Sequence, residues 1–171
     1  SVGDLIRIGR RGSLTGWIDL QGKQGHVAYP QLASNPIHTI APVLTQLCSM
    51  QWDNGNQWFP PTSMQITELS SGGIAGNVIP GTLSMQLNFR YSTEQTAEQL
   101  KTTVWECFAD HDVQAHIRWR DNGHPFLTEH DALTSTIVHA IEQRCDCTPE
   151  LSTGGGTSDA RFIAPHGVEV I

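Results

Sequence analysis

A glycine-rich loop near residue 155 is the most unusual stretch of the sequence in chemical terms. It reads Gly154-Gly155-Gly156-Thr157-Ser158-Asp159 and precedes a predicted helical start that contains Arg161. Backbone N–H groups in such a loop can bind a carboxylate or an oxyanion, and the arginine adds positive charge. The GxxxxGK[ST] pattern of a phosphate-binding loop is absent. The loop therefore predicts either an anion site or a plain turn, and composition alone favours the turn.

His26 is the histidine with the most distinctive surroundings. It follows a glycine in a turn-like segment and precedes Val27-Ala28-Tyr29-Pro30. A lone histidine is usually a surface residue or a hydrogen-bonded core residue, so the pattern by itself does not assign it a function. The other seven histidines show no metal-ligand spacing, because HExxH and His-x-Asp are both missing.

Metal and nucleophile signatures are weak elsewhere. Cys145-x-Cys147 could hold a metal, but a zinc site normally needs a second pair of ligands, which is not found here. The sequence also has no adjacent Glu-Glu pair and no Gly-x-Ser-x-Gly elbow. It therefore predicts neither a complete metal site nor a serine hydrolase.

Arg90 and Asn77 are further candidates. Residues 82–91 alternate so that Leu83 and its partners face a core, which places Arg90 on the opposite, open face of a sheet. The simplest interpretation of Arg90 is a solvated side chain. Asn77, between Gly76 and Val78, can simply supply a left-handed turn conformation.

The elements that must position these residues follow from hydrophobic periodicity. Strands are predicted at 4–8, 13–21, 63–69, 82–91 and 113–120, with helices after Asn35-Pro36 and after a Ser92-x-x-Gln95 capping box. This order predicts an α+β, ferredoxin-like βαββαβ sandwich over residues 10–122. Residues 1–9 and 123–171, with a helix at about 131–144, are assigned to a partial α/β catalytic-domain segment. The first helix is predicted to bury one face, formed by Ile37, Ile40, Leu44, Leu47 and Cys48. The helix at about 131–144 is predicted to bury Leu133, Ile137, Ala140 and Ile141.

Composition excludes some classes of protein. The 171 residues carry 17 acidic and 10 basic side chains, for a net charge of -7, and 38% are hydrophobic. A nucleic-acid platform is not expected from this balance, and no apolar run approaches the ~18 residues that span a bilayer. The four cysteines are interpreted as free thiols in a reducing compartment. Because the sequence starts at Ser1 and stops in the apolar stretch 167–171, we expect a fragment of a larger protein.

Several motifs occur together in an order typical of one enzyme family. They are Gly9-Arg10-Arg11-Gly12-Ser13, Gly25-His26-Val27-Ala28-Tyr29-Pro30, Asn35-Pro36-Ile37, Gly76-Asn77-Val78-Ile79-Pro80, Asn88-Phe89-Arg90-Tyr91 and Gly155-Gly156-Thr157-Ser158-Asp159-Ala160-Arg161-Phe162. Across nearly its whole length the sequence resembles the bacterial succinyl-diaminopimelate desuccinylases, a branch of the zinc aminoacylase/carboxypeptidase superfamily.

The resemblance implies a cytoplasmic homodimer in which an inserted ferredoxin-like domain dimerises and a catalytic domain holds two zinc (or cobalt) ions. It implies hydrolysis of N-succinyl-LL-2,6-diaminopimelate to succinate and LL-2,6-diaminopimelate, in lysine and diaminopimelate biosynthesis. The residue matching His26 stabilises the oxyanion across the dimer. The family residues that bind the dicarboxylate amide substrate correspond to Asn77, Arg90, Gly156, Thr157 and Arg161 of this sequence.

The sequence departs from that family in two respects. The family's metal ligands and catalytic base lie on a His-x-Asp motif, a Glu-Glu pair and a late histidine, none of which is present, so no metal ligand and no activity are expected from this chain alone. A substrate-contacting serine of some members is replaced by Asn122. Two alternatives stay open: a related amidohydrolase of the acetylornithine deacetylase or aminoacylase type, and a non-catalytic ferredoxin-like dimerisation module.

Overall fold

A computed structural model describes residues 5–72, 75–128, 132–145, 147–156 and 158–171. In these ranges the strands are β1 Leu5–Arg7, β2 Gly9–Arg10, β3 Gly12–Gln21, β4 Gly25–His26, β5 Ser63–Ser71, β6 Val78–Ile79, β7 Thr82–Tyr91, β8 His116–Gly123, β9 Phe126–Leu127 and β10 Glu150–Ser152. The helices are α1 Pro36–Ser49, α2 Ala97–Asp110 and α3 Ala132–Cys145. Short 3-10 turns lie at Pro30–Leu32, Asp159–Phe162 and Ala164–His166.

One antiparallel sheet organises most of the chain. Its four strands run in the order β5-β7-β3-β8, and α1 and α2 contribute to the same buried cluster as the inward side chains of β3 and β7. Strand, helix, strand, strand, helix, strand with this sheet order is the ferredoxin-like arrangement. The predicted α+β fold class is therefore confirmed.

Strict alternation along β7 separates the two faces of the sheet. Leu83, Met85, Leu87 and Phe89 are buried against the helices. Each such side chain contributes about 1.5–3 kcal/mol by leaving water. The residues between them, Ser84, Gln86, Asn88 and Arg90, lie on the face that the helices leave open. Arg90 thus lies on the open face, as its place in the alternation predicts.

The helix boundaries test the predicted caps. Asn35 Oδ1 accepts from the Ile37 N–H at 3.0 Å, so α1 begins where predicted. The predicted Ser92/Gln95 box is wrong: Thr96 and Gln99 form the capping box of α2. Ser92 does not cap it: its hydroxyl donates to Asp53 Oδ2 at 3.2 Å and accepts from the Glu94 N–H at 3.1 Å, which closes a separate turn at the end of β7.

The buried helix faces also differ from the predicted ones. In α1 the buried positions are Pro36, Ile40, Val43 and Leu47, whereas Ile37 and Cys48, which were expected inside, are exposed. In α3 the described side chain that is fully buried is Thr134. The inward face predicted for α3 is wrong for Leu133 and Ala140, which are exposed, since too little of the described chain packs against this helix.

The remaining short strands form three two-stranded pairs outside the four-stranded sheet. β1 runs parallel to β10, and β2 pairs antiparallel with β9, so the Gly9-Arg10 segment is extended. β4 pairs antiparallel with β6. The limits 1–9, 10–122 and 123–171 stay a prediction.

Gly12 provides a test of the packing at the start of β3. It pairs with Tyr91, and a Cβ at Gly12 would lie 2.3 Å from Cζ of that fully buried ring. Gly12→Ala is expected to lower the free energy of unfolding by about 2 kcal/mol, because overpacking displaces a ring with no free space. Gly76→Ala is the control, since no atom lies within 4 Å of its Cβ position. Equal urea midpoints for the two variants would contradict this packing.

Candidate functional site

His26 and Asn77 are brought together by the short pairing of β4 with β6. His26 lies opposite Val78 in this ladder, and its Nε2 is 3.4 Å from Nδ2 of Asn77. Both side chains are exposed. The sequence indicates turns at these positions, and a two-residue ladder carries too little pattern to be predicted.

The backbone next to His26 fixes its neutral tautomer. The N–H of Ala28 donates to Nδ1 of His26 at 3.1 Å, so in the neutral ring the proton is on Nε2. The Asn77 amide must then present its oxygen to Nε2, because amide orientation is set by hydrogen bonding. Nε2 of His26 is therefore a hydrogen-bond donor at the surface.

Exposed apolar side chains surround this histidine. The Tyr29 ring lies 6.1 Å from the imidazole, centroid to centroid, and is 56% exposed, while Leu32 is 62% exposed. A cavity of about 480 Å³ adjoins them, lined by Val27, Pro30, Asn35, His38, Thr39 and Ile79. Apolar surface of this kind next to a polar donor is typical of an interaction site.

A second cleft, of about 480 Å³, lies on the open face of the sheet. The cleft is lined by residues from three strands, β3, β7 and β8, and from the Asp159–Phe162 turn. They are Ser13, Thr15, Asn88, Arg90, Arg120, Asp121, Asn122, Arg161 and Phe162. It brings Arg90 and Arg161 together, two of the residues that the resemblance assigns to substrate carboxylates. We refer to it as the arginine cleft.

Two buried hydroxyls form the floor of the arginine cleft. Thr15 is 8% and Ser13 2% exposed. The amide nitrogens of Asn88 and Asn122 donate to Thr15 Oγ1 at 3.0 and 2.8 Å, and to Ser13 Oγ at 3.4 Å each. The floor is thus a fixed polar network.

Positive charge dominates the walls of the cleft. Burial, and then the charge of Arg90, lower the pKa of the neighbouring Arg11 guanidinium. Arg161 Nη1 donates to the Asn122 carbonyl at 2.5 Å, and its guanidinium lies 4.7 Å above the Phe162 ring. Among the described residues, Arg90 and Arg120 contact no carboxylate. The cleft therefore has the charge and the geometry to bind anions.

The described residues of the glycine-rich loop, Gly154 to Gly156, are not among those that line the cleft. Gly155 adopts φ +100°, and Arg7 Nη1 donates to the Gly154 carbonyl beside it. Gly156 is exposed, with no atom within 4 Å of its Cβ position. Thr157 lies outside the described residues.

The histidine and the arginine cleft are at opposite ends of the sheet. β4 and β6 adjoin the start of β7, whereas Arg90 is eight residues further along that strand. Eight extended residues span roughly 27 Å. Within one copy of the chain, His26 therefore lies near one end of β7 and Arg90 near the other.

The described residues contain neither a cluster of metal ligands nor a membrane-spanning helix. No three His, Cys, Asp or Glu side chains converge there, so these residues do not fit a metal ion. Cys145 is exposed and Cys147 half-buried. No helix in the described part of the chain has the length and apolarity to cross a membrane.

Four residues of the candidate site were not predicted as site residues from the sequence. Arg120, Asn88, Ser13 and Thr15 line the cleft that holds Arg90. Alternation along β7 and β8 places Asn88 and Arg120 on the open face, so that signal was available. Their convergence depends on the strand register, which the sequence does not encode locally.

Comparison with known proteins identifies close relatives. The succinyl-diaminopimelate desuccinylase of Legionella pneumophila (strain Corby) is 62% identical over 170 residues, which are 99% of this chain and 45% of that protein. The enzyme of the same name from Acinetobacter baumannii (strain SDF) is 54% identical over the same shares. The chain therefore spans about 45% of the length of the curated relatives it matches.

Solved structures and a family model agree on the fold. The aminopeptidase PepT from Bacillus cereus matches with a TM-score of 0.77 at 19% identity, over 96% of this chain and 43% of that one. An M20 family metallo-carboxypeptidase from Sulfolobus solfataricus matches with a TM-score of 0.79 at 12% identity, over 95% and 50%. Residues 8–116 match the M20 model described as "Peptidase dimerisation domain". The chain belongs to the M20 peptidase dimerisation-domain family.

Proposed function

We propose that this chain is part of an amide hydrolase that converts N-succinyl-LL-2,6-diaminopimelate and water to succinate and LL-2,6-diaminopimelate. The observation that carries the proposal is the arginine cleft, in which Arg90, Arg120 and Arg161 converge over a floor of buried hydroxyls. A substrate with three carboxylates suits such a cleft, because charge-assisted, bidentate arginine contacts are strong and directional. The 62% identical desuccinylase supports the same assignment.

The residues of this chain would bind the substrate and stabilise charge. When water adds to the succinyl carbonyl carbon, the carbonyl oxygen becomes an oxyanion, and Nε2–H of His26 can donate to it in place of the Asn77 side-chain oxygen. The C–N bond then breaks, and the leaving nitrogen takes up a proton. In this proposal Arg90 and Arg161 bind substrate carboxylate, and Asn77, Gly156 and Thr157 contact the substrate as well.

A homodimer would bring the two groups of residues together. Since roughly 27 Å of β7 separates His26 from Arg90, each active site would take His26 and Asn77 from one subunit and Arg90 and Arg161 from the other. We propose that contact occurs within residues 10–120, through α1 and the edge strand β5. An unpaired strand edge favours such pairing, and exposed Tyr29 and Leu32 provide apolar surface nearby.

The metal ions belong to the whole enzyme in this proposal. Two zinc or cobalt ions would activate the attacking water. The described residues do not fit a metal, so we propose that its ligands lie on segments that this chain does not supply, and that the chain alone is inactive. The enzyme would act in the cytoplasm, in diaminopimelate and lysine biosynthesis.

Acyl preference tests the proposal. The whole enzyme is expected to cleave N-succinyl-LL-2,6-diaminopimelate with a kcat/KM about 10- to 100-fold above that of the N-acetyl compound, which lacks one carboxylate. Equal or better cleavage of the acetyl compound would favour the acetylornithine deacetylase or aminoacylase type. Cleavage of neither by the metal-loaded enzyme would favour a non-catalytic dimerisation module.

A further inference from the structure

We propose that Arg120 is a specificity residue that binds a second substrate carboxylate, the one at the free amino-acid end of the diaminopimelate chain. The inference rests on the proposed function and goes beyond it, because it assigns a separate subsite within the arginine cleft. Arg90 and Arg161 would bind one carboxylate, and Arg120 another.

Strand register separates the two subsites. Arg90 on β7 pairs with Ser13, and Arg120 on β8 pairs with Thr15, so the two arginines flank β3. Strands two apart in a sheet lie about 10 Å from each other. This lateral spacing suits two carboxylates at the ends of an elongated substrate better than a single carboxylate.

Arg120 has no internal counter-ion to occupy it. Among the described residues it forms no ion pair, whereas Arg118, two positions earlier on the same face of β8, is 3.2 Å from Oδ2 of Asp19. Strand β8 thus carries one arginine that is neutralised by the protein and one that faces the cleft unneutralised. A ligand carboxylate would supply the missing charge.

The cleft floor next to Arg120 can contribute a further donor. Thr15 Oγ1 accepts hydrogen bonds from both Asn88 and Asn122, so its single proton is left to donate. Thr15 is more than nine-tenths buried, and in the described ranges no acceptor takes that proton. A carboxylate between Arg120 and Thr15 would satisfy both groups.

An acceptor for the neighbouring ammonium is also present. Nδ2 of Asn88 donates to the Leu14 carbonyl at 3.2 Å, which fixes the amide and directs its oxygen away from that carbonyl. No donor from the described residues contacts this oxygen, which can therefore accept from an ammonium. The subsite thus combines a cation with a neutral acceptor, which matches an α-amino acid end.

A pair of substrates that differ by one carboxylate tests the assignment in the whole metal-loaded enzyme. N-succinyl-L-lysine is N-succinyl-LL-2,6-diaminopimelate without the distal carboxylate. Wild type is expected to prefer the diaminopimelate compound about 10- to 100-fold in kcat/KM. Arg120→Gln should abolish that preference and leave kcat/KM for the lysine compound within about twofold, and Arg120→Lys should be intermediate. Arg118→Gln is the matched control and should keep the wild-type preference.

Two outcomes would overturn the inference while the proposed function stands. In one, Arg120→Gln lowers kcat/KM equally for both substrates, which would indicate a structural role. In the other, the preference survives in Arg120→Gln. In both outcomes wild type still cleaves the two succinyl substrates, so the proposed function is unaffected.

Failure of the proposed function would show in wild type itself, which would then cleave neither compound or would cleave the N-acetyl substrate at least as well. Calorimetric binding of LL-2,6-diaminopimelate and L-lysine, which differ by the same carboxylate, then decides the matter without turnover. Tighter binding of diaminopimelate that Arg120→Gln removes supports the subsite. A preference that is absent in wild type or unchanged in the variant contradicts it.

Discussion

His26→Ala in the whole enzyme is expected to lower kcat by about 10²–10³, the usual effect of removing one donor to an oxyanion. The Ala28 N–H on Nδ1 places the proton of the neutral ring on Nε2, which is the nitrogen exposed beside Asn77. The loss should therefore appear in kcat.

Folding and dimerisation should not change in this variant, since the His26 side chain is exposed. His111→Ala is the matched control: that histidine is also exposed and lies at the end of α2, where the backbone N–H makes the cap contact. Steady-state kinetics and sedimentation of both variants check the expectation. A His26→Ala enzyme with near-normal kcat would exclude the oxyanion role.

Arg90→Ala is expected to lower kcat/KM about 10- to 100-fold, because a charge-assisted contact to substrate contributes roughly 1.5–3 kcal/mol. Arg90 lies in the arginine cleft with no carboxylate partner from the described residues, so little internal stability depends on its charge. The thermal midpoint should therefore stay near that of wild type, and KM should rise.

Arg118→Ala serves as the control for Arg90→Ala. It removes an exposed guanidinium paired with Asp19 outside the cleft, and such surface pairs contribute little. Its kcat/KM should match that of wild type. If Arg90→Ala left kcat/KM unchanged, or lowered it only in step with a fall in the thermal midpoint, Arg90 would not bind substrate.

The local sequence pattern was sufficient to predict much of the fold. The alternation of β7 predicts which side chains meet the helices, because a period of two is a property of the strand alone. The Asn35-Pro36 start of α1 was predicted for the same reason, as a cap needs only neighbouring residues. The cap of α2 was predicted wrongly, because the Ser92 hydroxyl is held in a separate turn by Asp53, a residue 39 positions away.

The candidate site depended on information that a local pattern lacks. Arg120 and Arg90 belong to different strands and share one cleft only because they pair with β3 two residues apart, at Thr15 and Ser13. A register shift next to Ser13 leaves Asn122 without a partner of its own on β3 and allows its amide to reach Thr15. Motif resemblance supplied Arg90 and Arg161, but the cleft that includes Arg120 required the sheet.

Mixed dimers provide the most direct test of a site shared between two copies of the chain. Subunits carrying His26→Ala and Arg90→Ala, each with its own affinity tag, are co-expressed and the mixed dimer is measured. If His26 of one subunit serves the arginine cleft of the other, one site of each mixed dimer contains both residues.

At substrate concentrations well below KM, statistical mixing of the two impaired variants should then give about one quarter of wild-type activity, since half of the dimers are mixed and half of their sites are intact. The purified mixed dimer alone should reach about half. A mixture no more active than the mean of the two parent variants would contradict the shared site and would place His26 and Arg90 in separate functions.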